Sequence, residues 1–141
     1  MRLPRSLSGW SIAVFGFLAL VLGLYGLIWP DGLLGLLGFE VVDDRATGDY
    51  TKVYMAASSM AAVNMGVYYV LAAAADFTPF FRWTVPFRMV TCAVFTGLVV
   101  SGAAPAEFLG VGLWEGAGAV LTGLALWREG RLLPERRAGG E

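Results

Sequence analysis

Four apolar segments dominate this chain, and each is long enough to cross a lipid bilayer as an α-helix. They cover residues 10–29, 53–75, 83–106 and 108–127. A membrane-spanning helix needs ~20 apolar residues, because each residue advances the helix by about 1.5 Å. With 57% hydrophobic and only 15% charged residues, the chain is predicted to be an integral membrane protein.

The expected fold is all-α: one domain over residues 1–141, built as a four-helix transmembrane bundle. The predicted helices cover about residues 10–29, 53–75, 84–102 and 106–128. The first is treated as a retained helix and not a signal peptide, since its apolar run is too long and no small-residue cleavage pattern follows. In the first loop, glycine recurs every third residue from Gly32 to Gly38. This pattern predicts a short interfacial helix with Asp31 as its N-cap and Gly38 as its end.

Arginine residues indicate the orientation of the chain in the membrane. In a four-pass topology seven of them fall on one side: Arg2, Arg5, Arg82, Arg128, Arg131, Arg136 and Arg137. The other side has only Arg45 and Lys52. The positive-inside rule therefore predicts a protein of the cell (inner) membrane with both termini in the cytoplasm. The first loop lies outside and is acidic, which favours a solvated loop over a cation site because the calcium-loop spacing is absent.

The chain lacks the residues that several membrane functions require. It has no histidine, which argues against histidine-ligated haem or metal. Cys92 is the only cysteine, so a paired-cysteine redox centre is excluded. We therefore expect no cofactor, no metal site and no nucleic-acid partner.

A small set of polar residues falls at similar depth within the predicted helices. Glu115 is a lone carboxylate in an apolar run, and ionisable groups at such depth cost roughly 2.5–3.5 kcal/mol on insertion scales. With a rise of about 1.5 Å per residue from the predicted helix ends, Asn64 and Glu115 are expected near the middle of a ~30 Å hydrocarbon slab. Tyr68 and Arg88 are expected about one turn away. These residues are candidates for one intramembrane polar layer.

Arg88 and Glu115 are predicted to lie close enough for a salt bridge, because the last two predicted helices form a hairpin. Arg88 shares a helix face with Thr91, and Glu115 shares one with Thr122. The pair has two interpretations. It could fix the register of the last two helices, as buried ion pairs often do. It could instead line a cavity for the polar end of a lipophilic molecule, where an unpaired, protonated Glu115 would serve as a general acid.

The candidate site follows from this second interpretation. Glu115 is the candidate acid and Arg88 its catalytic partner, and five further residues are predicted to contact a ligand: Asn64, Tyr68, Thr91, Trp114 and Thr122. For Asn64, a plain interhelical hydrogen bond is an equally good interpretation.

Small residues form stripes on the predicted helices. Gly9, Gly16 and Gly23 recur on the first helix, and Ser58, Ala62 and Gly66 recur on the second. Such stripes favour close helix packing. They are suited to packing within the bundle, to homo-oligomerisation or to assembly into a larger membrane complex.

The chain resembles the small, largely uncharacterised four-helix bacterial membrane proteins grouped as DoxX-like. The resemblance rests on the turn from Trp29 to Asp31 followed by glycine-rich apolar sequence. It also rests on the hairpin from Ser101 to Pro105 that leads to Trp114, Glu115 and Gly116. It implies a four-helix membrane architecture, and we transfer no functional residues from it.

The sequence favours a small membrane protein that binds, and could isomerise or cyclise, a lipophilic molecule with Glu115 as acid. The alternative is a non-catalytic accessory or assembly subunit of a larger membrane complex. A proton-coupled transporter is disfavoured, because a single acidic site in one short bundle would need oligomerisation to form a path.

Overall fold

A computed structural model of the protein describes residues 3–133, and this part of the chain is helical. Its helices are α1 (Leu7–Ile28), α2 (Pro30–Leu36), α3 (Thr51–Ala74), α4 (Thr78–Val100) and α5 (Leu109–Arg128), with a 3₁₀ turn at Ala106–Phe108 before α5. By length and composition α1, α3, α4 and the Ala106–Arg128 segment could each cross a membrane. The predicted all-α class with four spanning helices is therefore confirmed.

α1 holds the bundle together, because it packs against α3 on one side and α5 on the other. α4 packs mainly on α5, and it makes little backbone contact with α3 although a turn of three residues joins the two. A buried apolar cluster closes the bundle near that turn. Its members are Ile12, Ala72, Ala73, Phe81 and Leu126.

The helices α1 to α4 all begin earlier than predicted, α1 at Leu7 and α3 at Thr51. α4 begins at Thr78 and not at residue 84, because Pro79 occupies its first turn, where a missing backbone N–H has no cost. Pro86 lies inside α4 without ending it. α2 begins at Pro30, so Asp31 lies in its first turn and is not the N-cap. Gly38 ends this segment in a left-handed conformation (φ +81°), as predicted.

The close packing of α1 on α3 depends on glycine. A Cβ atom added at Gly16 would lie 2.6 Å from Cβ of Tyr69, and one added at Gly66 would lie 2.7 Å from the carbonyl oxygen of Gly16. Gly23 similarly faces the backbone of Ser59. The predicted packing stripe on α1 is therefore confirmed at Gly16 and Gly23. On α3 the buried serine is Ser59 and not the predicted Ser58, which is exposed.

One end of the bundle is fastened by a network of polar contacts that we call the terminal network. Asp76, in the turn between α3 and α4, accepts hydrogen bonds from Ser6 (2.6 Å) and from Arg131 (2.7 Å). Glu129 accepts from Ser8 Oγ at 2.6 Å. The start of α1, the α3–α4 turn and the end of α5 therefore meet at the same end of the bundle. Arg2, Arg136 and Arg137, used in the orientation argument, lie outside the described residues.

Candidate functional site

Arg88 on α4 and Glu115 on α5 form the predicted salt bridge. Nε of Arg88 donates to Oε2 of Glu115 at 2.8 Å. The Arg88 side chain is 4% exposed, whereas that of Glu115 is 24% exposed. The contact that the sequence predicted between the last two spanning helices is thus confirmed.

Arg88 is held by groups on two other helices. Its Cζ lies 3.9 Å from the centre of the Phe15 ring on α1, a cation–π arrangement. Its guanidinium also lies directly against Gly118 on α5, where an added Cβ atom would overlap Cζ and both terminal nitrogens. Phe15 in turn packs on Trp114, with ring centroids 4.4 Å apart. The position of Arg88 is therefore fixed by α1 and α5 together.

The Nη1 nitrogen of the Arg88 guanidinium, which carries two N–H donors, lacks a partner. Nη1 is fully buried and makes no hydrogen bond to any residue that the structure describes. A guanidinium carries five N–H donors, and here Glu115 accepts from Nε alone. A buried donor without an acceptor costs about 1–3 kcal/mol. Arg88 therefore keeps hydrogen-bonding capacity that Glu115 does not use.

A cavity of about 310 Å³ lies beside the ion pair, and all four spanning helices contribute to it. This volume is at the lower end of the range for small-molecule sites. We call it the ion-pair cavity. It is lined by Phe15, Ala19, Ala62, Met65, Tyr69, Phe87, Arg88, Thr91, Trp114 and Glu115.

The ion-pair cavity reaches the outer surface of the bundle between α3 and α4. Met65 on α3 is 44% exposed and Phe87 on α4 is 72% exposed, yet both line the cavity. The two helices make little backbone contact, so the gap between them is not sealed. In a bilayer this gap would face the lipid chains, and a lipophilic molecule could enter from the side.

A second cavity, of about 360 Å³, adjoins the first at Ala62, which lines both. Its lining is almost entirely apolar, with side chains such as Leu22, Leu33 and Phe108. Ser59 is its buried polar group: the residue is 2% exposed and its Oγ has no hydrogen-bond partner among the described residues. Ala62 is therefore the position at which a larger side chain would obstruct both cavities.

The structure brings four of the seven predicted site residues to the ion-pair cavity: Arg88, Thr91, Trp114 and Glu115. Thr122 is fully buried elsewhere, and its Oγ1 lies 2.8 Å from Oγ of Ser11. That contact fastens α5 to α1. Thr122 thus lies on the buried face of α5 that the sequence predicted, but it does not line the cavity.

Asn64 and Tyr68 are not brought to the ion-pair cavity, contrary to the sequence prediction. Asn64 is exposed, and Tyr68 is 55% exposed. The reason is the rotation of α3. Its Gly66 side packs on α1, so the opposite face points away from the bundle and not into it. The residues that α3 presents to the cavity are Ala62, Met65 and Tyr69.

Sequence reasoning missed Phe15 and Tyr69. Tyr69 is adjacent to the predicted Tyr68, and one residue corresponds to a rotation of about 100° on a helix. Tyr69 follows Ala62 and Met65 at i, i+3, i+7 spacing, which places the three residues on one face of the helix and could have indicated Tyr69 from the sequence. Phe15 has no such signal, because its role depends on α1 lying at the centre of the bundle.

Two carboxylates of the first loop region, Asp31 and Asp49, are engaged with nearby cations and backbone groups. Asp31 lies 2.7 Å from Nζ of Lys52, and Asp49 lies 3.0 Å from Arg45. Hydrogen bonds from the side chain and backbone of Thr51 lower the pKa of Asp49 to about 2. These pairs order the loop at the start of α3.

An apolar groove of about 470 Å³ lies between α1 and α3. It is lined by side chains such as Trp10, Phe17 and Val70 and has no charged residue in its lining. A groove of this kind on a lipid-facing surface can accommodate acyl chains but has no polar group to orient a specific ligand. The ion-pair cavity is therefore the better candidate site.

No protein-family model matches the chain, and neither the curated proteins nor the solved structures include a match. The resemblance to DoxX-like proteins therefore stays a prediction.

Proposed function

We propose that this protein is a small integral membrane protein that binds a lipophilic small molecule in the ion-pair cavity. The observation that carries the proposal is a partly apolar cavity, open between α3 and α4, that is lined by a buried arginine bonded to Glu115 through Nε alone. Specific sites generally combine apolar walls with a few positioned polar groups. We further place the protein in the cell (inner) membrane with both termini in the cytoplasm, on the arginine distribution.

The proposal extends to isomerisation or cyclisation, which require a proton donor. Glu115 supplies the carboxyl group among the cavity-lining residues. In such a reaction the Glu115 carboxyl group would transfer a proton to one atom of the bound molecule and take a proton back from another, so that none is gained or lost overall. If the bound molecule is chemically transformed, Glu115→Gln should abolish turnover in protein that circular dichroism shows to be folded, since glutamine keeps a hydrogen-bond acceptor for Arg88. Unaltered turnover in that variant would remove Glu115 from the chemistry.

The binding proposal is tested by two alanine variants on the same helix. Ala62 lines both cavities, whereas Ala61 is exposed on the outer face of α3. Ala62→Phe should obstruct the site, and Ala61→Phe is the matched control. Each protein is purified in its native lipid, and the lipophilic molecules are extracted and quantified by mass spectrometry.

We expect one small lipophile in near-stoichiometric amount with the wild type and with Ala61→Phe, and its loss from Ala62→Phe. Equal extracts from all three proteins would contradict the proposal. Circular dichroism and gel filtration check that both variants fold.

A non-catalytic accessory subunit is the second candidate, and one observation favours it. Asn64 lies within the apolar stretch of α3 but is exposed, and polar side chains at such positions usually pair across helices. Asn64→Leu should then release a partner helix from the purified complex while ligand binding remains. Purification of the wild type as a stable monomer, with no other protein, would count against this candidate.

A further inference from the structure

Charge decides which class of ligand the ion-pair cavity can hold. Arg88 and Glu115 contribute one positive and one negative charge, so the lining carries no net charge. An anionic ligand would add an uncompensated charge in a region of low dielectric constant, and so would a cation. Such burial is strongly unfavourable. The cavity therefore favours a neutral molecule.

Hydrogen-bonding capacity decides which polar group this molecule carries. Thr91 already donates its hydroxyl hydrogen to the carbonyl oxygen of Phe87, at 3.0 Å. The Arg88 guanidinium lines the cavity and donates to Glu115 from Nε alone, whereas the Glu115 carboxylate already accepts that bond and keeps 24% exposure. The polar group of the ligand should therefore be a hydrogen-bond acceptor for Arg88 and not a donor.

The walls of the cavity fit a flat or aromatic molecule. Four aromatic side chains line it: Phe15, Tyr69, Phe87 and Trp114. Such side chains provide large apolar contact areas with ring faces and edges.

We propose that the ligand is a neutral lipophile whose carbonyl-type oxygen accepts a hydrogen bond from the Arg88 guanidinium. This inference rests on the proposed function and adds the chemical class of the ligand to it. Hydrogen bonds from a charged donor are the strong ones, so the oxygen acceptor should raise affinity about ten-fold or more.

Benzophenone provides a direct probe, because it is a neutral aromatic ketone that couples to neighbouring C–H bonds when irradiated. Met65 and Met60 offer an internal comparison on α3: they are 44% and 46% exposed, but only Met65 is among the lining residues of the cavity. Simple partitioning into the lipid should label both methionines equally. Binding in the cavity should label Met65 in preference to Met60, and Ala62→Phe should remove the preference whereas Ala61→Phe should retain it.

Matched probes then separate the features of the ligand. 4-Benzoylbenzoate is the anionic analogue, and it should give Met65 adducts about ten-fold less efficiently at equal occupancy of the lipid. Phenyl benzoate has a carbonyl acceptor and should compete with benzophenone, whereas diphenylmethane has none and should compete about ten-fold more weakly.

The labelling experiment separates two claims: that the cavity binds a ligand, and that this ligand is a neutral hydrogen-bond acceptor. Equal labelling of Met65 and Met60 by every probe would overturn ligand binding in the cavity, and with it the proposed function. Selective labelling of Met65 with equal efficiency for the anion, or equal competition by diphenylmethane, would overturn only the neutral acceptor class.

Discussion

At the scale of single residues, Gly118 determines where Arg88 can lie. The guanidinium packs directly on this glycine, so even a methyl group would displace it. We predict that Gly118→Ala separates Arg88 from Glu115, lowers the preference of benzophenone for Met65 several-fold and lowers thermal stability. Overpacking of a buried position typically costs about 1–3 kcal/mol.

Gly110→Ala is the matched control for this change. Gly110 lies on the same helix, and an added Cβ atom would meet nothing within 4 Å. Wild-type labelling in Gly118→Ala, or the same loss in both variants, would show that Gly118 does not position Arg88.

Asp76 gives a second prediction at this scale, on pH dependence. Hydrogen bonds from Arg131 hold the pKa of Asp76 below its ordinary value of 3.8. A lowered pKa means that the contribution of Asp76 to stability is fully present above the unfolded-state value and is lost as pH falls through the folded-state value. Asp76→Asn should therefore destabilise the protein by about 1 kcal/mol at neutral pH, as for a partly exposed ion pair.

The difference between wild type and Asp76→Asn should disappear at pH values below the folded-state pKa, where both side chains are neutral. Asparagine suits this test, since Asp76 has φ +50° and asparagine tolerates that conformation. Thermal unfolding followed by circular dichroism measures both values. A difference that does not change with pH would show that the charge of Asp76 is irrelevant to the terminal network.

At the scale of elements, the salt bridge couples α4 to α5, and its two roles can be separated. Arg88→Leu and Glu115→Leu each leave one charge unpaired, which typically costs about 3–5 kcal/mol. The double variant leaves none and should be more stable than either single variant in thermal unfolding. If the pair is also a ligand site, selective labelling of Met65 should remain lost in the stable double variant. If the double variant recovers both stability and selective labelling of Met65, the salt bridge between Arg88 and Glu115 serves only to pack α4 against α5.

The same scale shows what the sequence could and could not predict. Apolar length predicted the four spanning helices, and hairpin geometry predicted the contact of Arg88 with Glu115, because both depend on residues close along the chain. The rotation of α3 depends on which helix it packs against. The sequence alone does not indicate that Gly66 faces α1, so it predicts Asn64 and Tyr68 at the cavity, where the structure has Met65 and Tyr69.

At the scale of the whole molecule, the terminal network places the start of α1 and the end of α5 at one end of the bundle. The proposed orientation puts this end in the cytoplasm. In a Cys92→Ala background, Ala46→Cys in the outer loop should react with a membrane-impermeant maleimide added to intact spheroplasts. Leu133→Cys, which is exposed at the other end, should react only after lysis. If Leu133→Cys reacts in intact spheroplasts and Ala46→Cys reacts only after lysis, the orientation is the opposite of the one proposed.

The central claim is that the ion-pair cavity is a binding site that opens between α3 and α4. A crystal structure of the protein grown from a lipidic phase containing phenyl benzoate tests it most directly. We predict density for this molecule inside the cavity, with its carbonyl oxygen about 3 Å from a guanidinium nitrogen of Arg88. Met65 and Phe87 packed against each other across the gap, with the cavity closed and phenyl benzoate excluded, would contradict the claim.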